Sequence, residues 1–293
     1  YIGDNVSVPV LSQRGSLEST TISEALRTAF GVYIAAGANA PQLNNTGSMR
    51  SIVQGEIGTA AVITDRSNTL ATINNTGEIV ALIIPTDDDP TDDIFPVASG
   101  STIAIDLRTN TIGATITQTP DVPFTDDDAV DNDAAVRPQT RIVGDILLGS
   151  GADTVNLLAG SITGDLSFGA GADIFNINGG AIYTGRLTDS DGQLTLNVQD
   201  GVLSLLGGAT NLTSASFGAD SELRVLITNS PGTSTSINAT GNVSFASGAV
   251  VLPVVRDGLP ASGSHTFLTA GGTLTGAANV VGVVSGQGTP FQY

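Results

Sequence analysis

Four aspartates have the spacing that chemistry would need. Asp153 and Asp173 stand at the same place in two successive segments, GSGADTVNL and GAGADIFNI, and Asp189 and Asp191 follow in TDSDG. If the two segments stack, Asp153 faces Asp173, and Asp145 faces Asp165 on another corner. Carboxylates are the hard oxygen ligands that a divalent cation takes, so Asp153, Asp173, Asp189 and Asp191 are candidate Ca2+ ligands. The competing role is turn capping, since an Asp side chain readily accepts from nearby backbone N–H groups. Stacked like charges also need a counter-charge or a raised pKa.

The two segments resemble the GGxGxDxUx nonapeptide of calcium-binding β-rolls. They depart from it where the first of the paired glycines should stand, at Leu148 and Phe168, and they recur every 20 residues rather than every nine. None of these aspartates sits in an EF-hand pattern, which needs a Glu at the twelfth position.

Catalytic side chains are scarce. The chain has one His, His265, ten Arg, no Lys and no Cys. No Ser/His/Asp order, phosphate-binding loop or zinc spacing is present. The GxG pairs accompany strand repeats with no helix to follow, which excludes a dinucleotide fingerprint. His265 in GSHTF is expected as an exposed strand residue. A carboxylate pair beside Arg141 or Arg186 is the one arrangement that could serve glycan hydrolysis or elimination.

The elements that must position these residues are short strands. Hydrophobic residues make up 40% of the chain but aromatics only 4%, and Trp is absent. That suits a narrow core of stacked aliphatic side chains better than a globular one. The 36 glycines, with many Asn, Asp, Ser and Thr, supply frequent tight turns. The net charge of −18 opposes binding to nucleic acid or anionic membranes. Without Cys there is neither a disulfide framework nor a thiolate metal site, which suits a chain exported unfolded through a narrow pore. No apolar run is long enough for a membrane helix.

Internal repeats decide the fold class. Residues 144–163 and 164–183 superpose without a gap, matching Gly144/Gly164, Asp153/Asp173 and Asn156/Asn176. A looser unit from Gly185 extends the column with Leu196, Asn197 and Val198. Upstream, Leu43-Asn44-Asn45-Thr46-Gly47 recurs thirty residues later as Ile73-Asn74-Asn75-Thr76-Gly77. That spacing fits one coil with a long loop, or a coil and a half. The expected fold is all-β: a right-handed parallel β-helix, or β-solenoid, with about 20-residue coils. Asn156, Asn176 and Asn197 would then form an amide ladder. Two acidic loop insertions, 85–96 and 120–138, interrupt the pattern. Residues 1–42 form an N-terminal cap or irregular segment, 43–245 the β-helix, and 246–293 the last coils and a C-terminal cap. Leu17, Ile22, Leu26 and Phe30 have near-helical spacing and predict a short helix in SLESTTISEALRTAF.

TLATINNTGEI, the tandem GxGAD coils, TDSDGQLTLNVQDG and GSHTFLTAGGTLTG together resemble the passenger domains of type V autotransporters, particularly those of alphaproteobacteria. The resemblance covers roughly residues 60–290. It implies outer-membrane export, display at the cell surface, and a C-terminal outer-membrane β-barrel of the same precursor as partner, lying beyond this chain. It leaves the activity open, since passengers serve as adhesins, enzymes, toxins or structural elements. With so few catalytic side chains, the expectation is a structural or adhesive surface protein without enzymatic activity, with homo-oligomeric or surface-lattice contacts. The alternative is a displayed polysaccharide-active enzyme.

Overall fold

The structure, a computed structural model, describes residues 1–22, 27–86, 97–120, 140–230, 232–256 and 265–281. Among the described residues the protein is all-β, without a helix, and its strands pair in parallel. The strands recur in threes. One stack takes Leu11–Gln13, Gln42–Asn45, Thr72–Asn75, Thr115–Gln118, Thr154–Leu157 and Ile174–Ile177, each paired to the next. A second takes Ser16–Ile22, Ser48–Gln54, Glu78–Ile84, Arg141–Val143, Ser161–Thr163 and Ala181–Gly185. A third takes Thr28–Ile34, Thr59–Asp65, Ser101–Asp106, Asp145–Leu147, Leu166–Phe168 and Leu187–Asp189.

The long strands Thr195–Leu205 and Ser214–Ile227 each run through both the first and second stacks and join them into one 18-stranded sheet. The third stack is a six-stranded sheet. A three-stranded sheet of Gly208–Leu212, Thr235–Ala239 and Leu268–Ala270 packs next to its last strand.

Local sequence explains the strands. TVNL and IFNI alternate inward and outward residues, the period-two signature of a sheet with one buried face. Inward residues build aliphatic columns: Leu43, Ile73, Ile116, Val155, Phe175 and Leu196 in the first stack, and Met49, Ile79, Ile142, Ile162, Tyr183 and Leu203 in the second, all essentially without solvent exposure. Successive triplets approach so closely at the GxG turns that a Cβ on Gly169 would lie 1.5 Å from the Gly149 carbonyl oxygen. Only glycine fits there.

The return distance along the chain varies. Paired residues are 20 apart from Asn156 to Asn176 and 21 from Asn176 to Asn197, but 30 from Asn45 to Asn75 and 43 from Asn75 to Gln118. The INNTG spacing is therefore one full return, and the 20-residue period belongs to the middle of the chain. The 43-residue return contains the first acidic insertion, and the second lies between Thr115–Gln118 and Arg141–Val143. Apart from Pro85, Thr86 and Pro120, both insertions fall outside the described residues.

Among the described residues of SLESTTISEALRTAF no helix is formed, and residues 23–26, Leu26 among them, lie outside those described. Ser16–Ile22 and Thr28–Ile34 are strands. Leu17 points inward, whereas Ile22 is 75% and Phe30 43% exposed, so the apparent helical stripe does not share one face. Pairing with Ser48–Gln54 and the β-branched run Thr20-Thr21-Ile22 outweigh a weak local signal. His265 is exposed as expected but precedes its nearest strand, which begins at Leu268.

Candidate functional site

Two amide ladders run up the first stack. On its outer face Asn176 Nδ2 donates to Asn156 Oδ1 (2.8 Å), and Asn197 Nδ2 donates to Asn176 Oδ1 (2.9 Å). Thr117 extends the column below Asn156, and Ser216 donates to Asn197 above it. The expected Asn156–Asn176–Asn197 ladder is thus present, and in longer form. A second ladder lies inside. Asn45 Nδ2 donates to Asn75 Oδ1 (2.8 Å), Asn75 Nδ2 to Gln118 Oε1 (3.1 Å), and Gln118 Nε2 to the Ala159 and Ser161 carbonyls. All three amides are fully buried, and their bonds satisfy polar groups at the corner between the first two stacks.

The four candidate calcium ligands share the corner that leads from the third stack into the first. Asp153 Oδ1 accepts from Ala114 N (2.6 Å), and Asp173 Oδ1 accepts from Asp153 N (2.7 Å). Asp189 Oδ2 accepts from Leu194 N, while Asp191 accepts from Gly171 N and Gln193 N. Each carboxylate caps backbone N–H groups. Asp153 and Asp173 are each 1% exposed, and the Oδ2 of each is buried without a hydrogen-bond partner. Burial pushes both carboxyls up to about 6, against the pull of N–H donors, and at Asp173 the charges of Asp153, Asp189 and Asp191 push the same way. Asp145 and Asp165 occupy the corner between the second and third stacks, as their spacing predicted. Asp165 N donates to Asp145 Oδ1, and Arg186 N donates to Asp165 Oδ1, which places Arg186 one triplet above the pair.

Sequence reasoning missed two charge clusters. Glu78, buried on the outer side of the second stack, is held by Arg50 (2.8 Å), by Arg141 and by Ser48. Burial raises its pKa, but these donors outweigh it and hold the carboxyl below its usual value. Asp106 is pushed up by burial, yet bonds from Arg108 and Arg66 hold it at about 2. Arg50, Glu78 and Arg141 come from segments separated by loops of unequal length, so no motif announces them.

Among the described residues one cleft lies between the turn that ends the third stack and the three-stranded sheet, and another lies beside the first stack. The former, of about 350 Å3, is walled by Asp189, Asp191, Asn211, Asn238 and Thr240. The other, of about 290 Å3, is walled by Ser12, Arg14, Asn44, Thr46 and Asn74. Among the described residues no three His, Cys, Asp or Glu side chains come together as a metal cage, and no helix is long and apolar enough to cross a membrane. Because each of the four aspartates caps backbone N–H groups and no three of them converge on one point, chelation with EDTA is expected to leave the melting temperature unchanged. A fall on chelation, reversed by Ca2+, would make them ion ligands. No family model matches the chain, and no curated protein or solved structure matches it.

Proposed function

We propose that the chain is a right-handed parallel β-helix displayed at the cell surface as a structural or adhesive passenger of an autotransporter, without catalytic activity of its own. The observation that carries this reading is the in-register stack of Asn156, Asn176 and Asn197, the register expected if each triplet of strands is one coil of a β-helix. Right-handed crossovers are the rule for parallel strands. Such a stack grows along one axis and presents a long lateral surface, which suits attachment or assembly more than turnover. The acidity keeps that surface soluble, and the absence of Cys suits unfolded export.

The displayed glycan enzyme is the second reading, favoured by the Asp145–Asp165 column under Arg186. Against it, the other predicted arginine, Arg141, is already bound to Glu78.

The test is to display the chain on cells through an outer-membrane barrel and score attachment and cell–cell aggregation, with a variant lacking residues 154–173. That deletion removes one return, since Thr154 pairs with Ile174. The shortened chain is expected to fold and still be displayed, because a coil can be lost without breaking its neighbours' register. The intact chain is expected to promote attachment or aggregation and to release no sugar from a glycan panel. Unfolding of the deletion variant would sink the coil reading. Sugar release abolished by Asp165→Asn would sink the non-catalytic one.

A further inference from the structure

The charge of the molecule is unevenly distributed over its outer faces. The second stack turns charges of both signs outward, Glu18, Glu78 and Glu222 with Arg50, Arg141 and Arg224, and the third stack turns Asp145 outward. The first stack differs. Along the amide-ladder column, from Ser12 through Asn44, Asn74 and Thr117 to Thr275, every outward residue in register is Ser, Thr or Asn. The neighbouring outward column, from Gln42 to Ser214, carries only Gln, Thr, Ser and one Ile, Ile174. A chain of net charge −18 thus keeps one strip free of charge over ten successive strands.

We infer that this strip is the face on which a second copy of the chain docks, outer face to outer face. Two such molecules repel one another wherever carboxylates meet, and this strip is where they can approach without that cost. The strip also matches itself. Its side chains repeat at the strand spacing of about 4.8 Å, so one row meets an identical row with the same period. Within the ladder, Asn176 uses one N–H on Asn156 and one acceptor site on Asn197. One donor and one acceptor site remain on each of Asn156, Asn176 and Asn197 for a partner. A surface offering both in alternation suits a two-fold, self-complementary contact.

Ten strands give a strip about 45 Å long and about 12 Å wide. That is about 550 Å2 from each copy, at the lower end of specific interfaces. Pairing is therefore weak in dilute solution and strengthens where copies are crowded, as they are on a surface. The geometry stands without the display reading, which supplies only the crowding.

Sedimentation of the full chain over about 10 to about 500 µM tests this, a range in which weak association is read. The weight-average mass is expected to rise toward that of a dimer, and to rise no less at high salt. Thr115→Glu combined with Ile174→Glu puts charge on the strip while leaving the amide ladder intact, and is expected to hold the chain monomeric. Ile182→Glu, on the second stack at a position 40% exposed, is expected to associate like the parent. A parent that stays monomeric overturns the inference, as does equal loss with Ile182→Glu. A monomer that still promotes attachment when displayed overturns it and leaves the surface reading standing. Binding of the monomer to a crystalline polysaccharide, lost with the Thr115/Ile174 variant, gives the strip to that ligand instead.

Discussion

Phe175→Ala is expected to cost about 3–5 kcal/mol, toward the upper end of large-to-small core changes. Phe175 has no solvent exposure and stands at the middle of a cluster of three aromatic rings. Its ring lies 6.2 Å from Phe168 and 5.3 Å edge-on from Tyr183, one residue from each of the other two stacks. Above and below it are Val155 and Leu196, held in register by the backbone ladder. The vacated space cannot close, because the strands are fixed along the stack by their hydrogen bonds and across it by the neighbouring triplets. Ile174→Ala is the matched control. Ile174 is adjacent in sequence but points outward, 37% exposed, and its loss is expected to cost less than about 0.5 kcal/mol. Urea unfolding of both variants measures the contrast. Near-equal losses would mean that Phe175 does not face a packed interior.

That contrast also shows what the sequence could reveal. In GADTVNL and GADIFNI the alternation around Asn156 and Asn176 names the inward and outward residues without coordinates, because two equal returns put like residues over like. For Asn44 and Asn74 the thirty-residue spacing leaves one return or a return and a half open, and the backbone register decides for one. Stacking like over like fails as a guide where insertions make the returns unequal. Gln118 continues the buried Asn45–Asn75 ladder, but it lies 43 residues on and is not an Asn, so no repeat search aligns it. Ser16–Ile22 reads as helical because Leu17, Ile22, Leu26 and Phe30 fit helical spacing, while the partner that makes it a strand, Ser48–Gln54, is 32 positions away. For the candidate site, spacing correctly paired Asp153 with Asp173. It could not show that their first oxygens are spent on N–H groups, which depends on how the Ala114 and Asp153 backbones turn beside them. The uncharged strip was written in the sequence all along, but only the register collects residues from Ser12 to Thr275 onto one face.

The buried aspartate pair gives the protein an unusual dependence on pH. Asp153 and Asp173 have carboxyls raised to about 6, against about 3.9 in an unfolded chain. The folded protein therefore holds more protons than the unfolded chain between these values. The stabilisation from these groups is fully present below about pH 4 and lost as the pH rises through 6. Holding one such carboxyl at about 6 rather than about 3.9 corresponds to about 3 kcal/mol. Asp106 works in the opposite direction. Held at about 2 by Arg108 and Arg66 against the effect of burial, it stabilises the fold above about pH 4, and that contribution is lost as the pH falls toward 2. Glu78, lowered by Arg50 and Arg141, acts in the same sense as Asp106. The two effects cross near pH 4–5, where stability is expected to peak, below the range of about 5–8 usual for proteins. The denaturation midpoint measured from pH 3 to 8 should therefore fall on the alkaline side of that peak. Asp153→Asn with Asp173→Asn keeps the carbonyl that accepts from Ala114 and Asp153 N–H while removing both charges. It should raise stability at pH 7.5 and flatten most of the slope between 4.5 and 7, leaving the smaller contributions of Asp145 and Asp189, whose carboxyls burial also raises. An unchanged slope in that double variant would show that the two carboxyls are not the buried, mutually repelling pair the structure places at this corner.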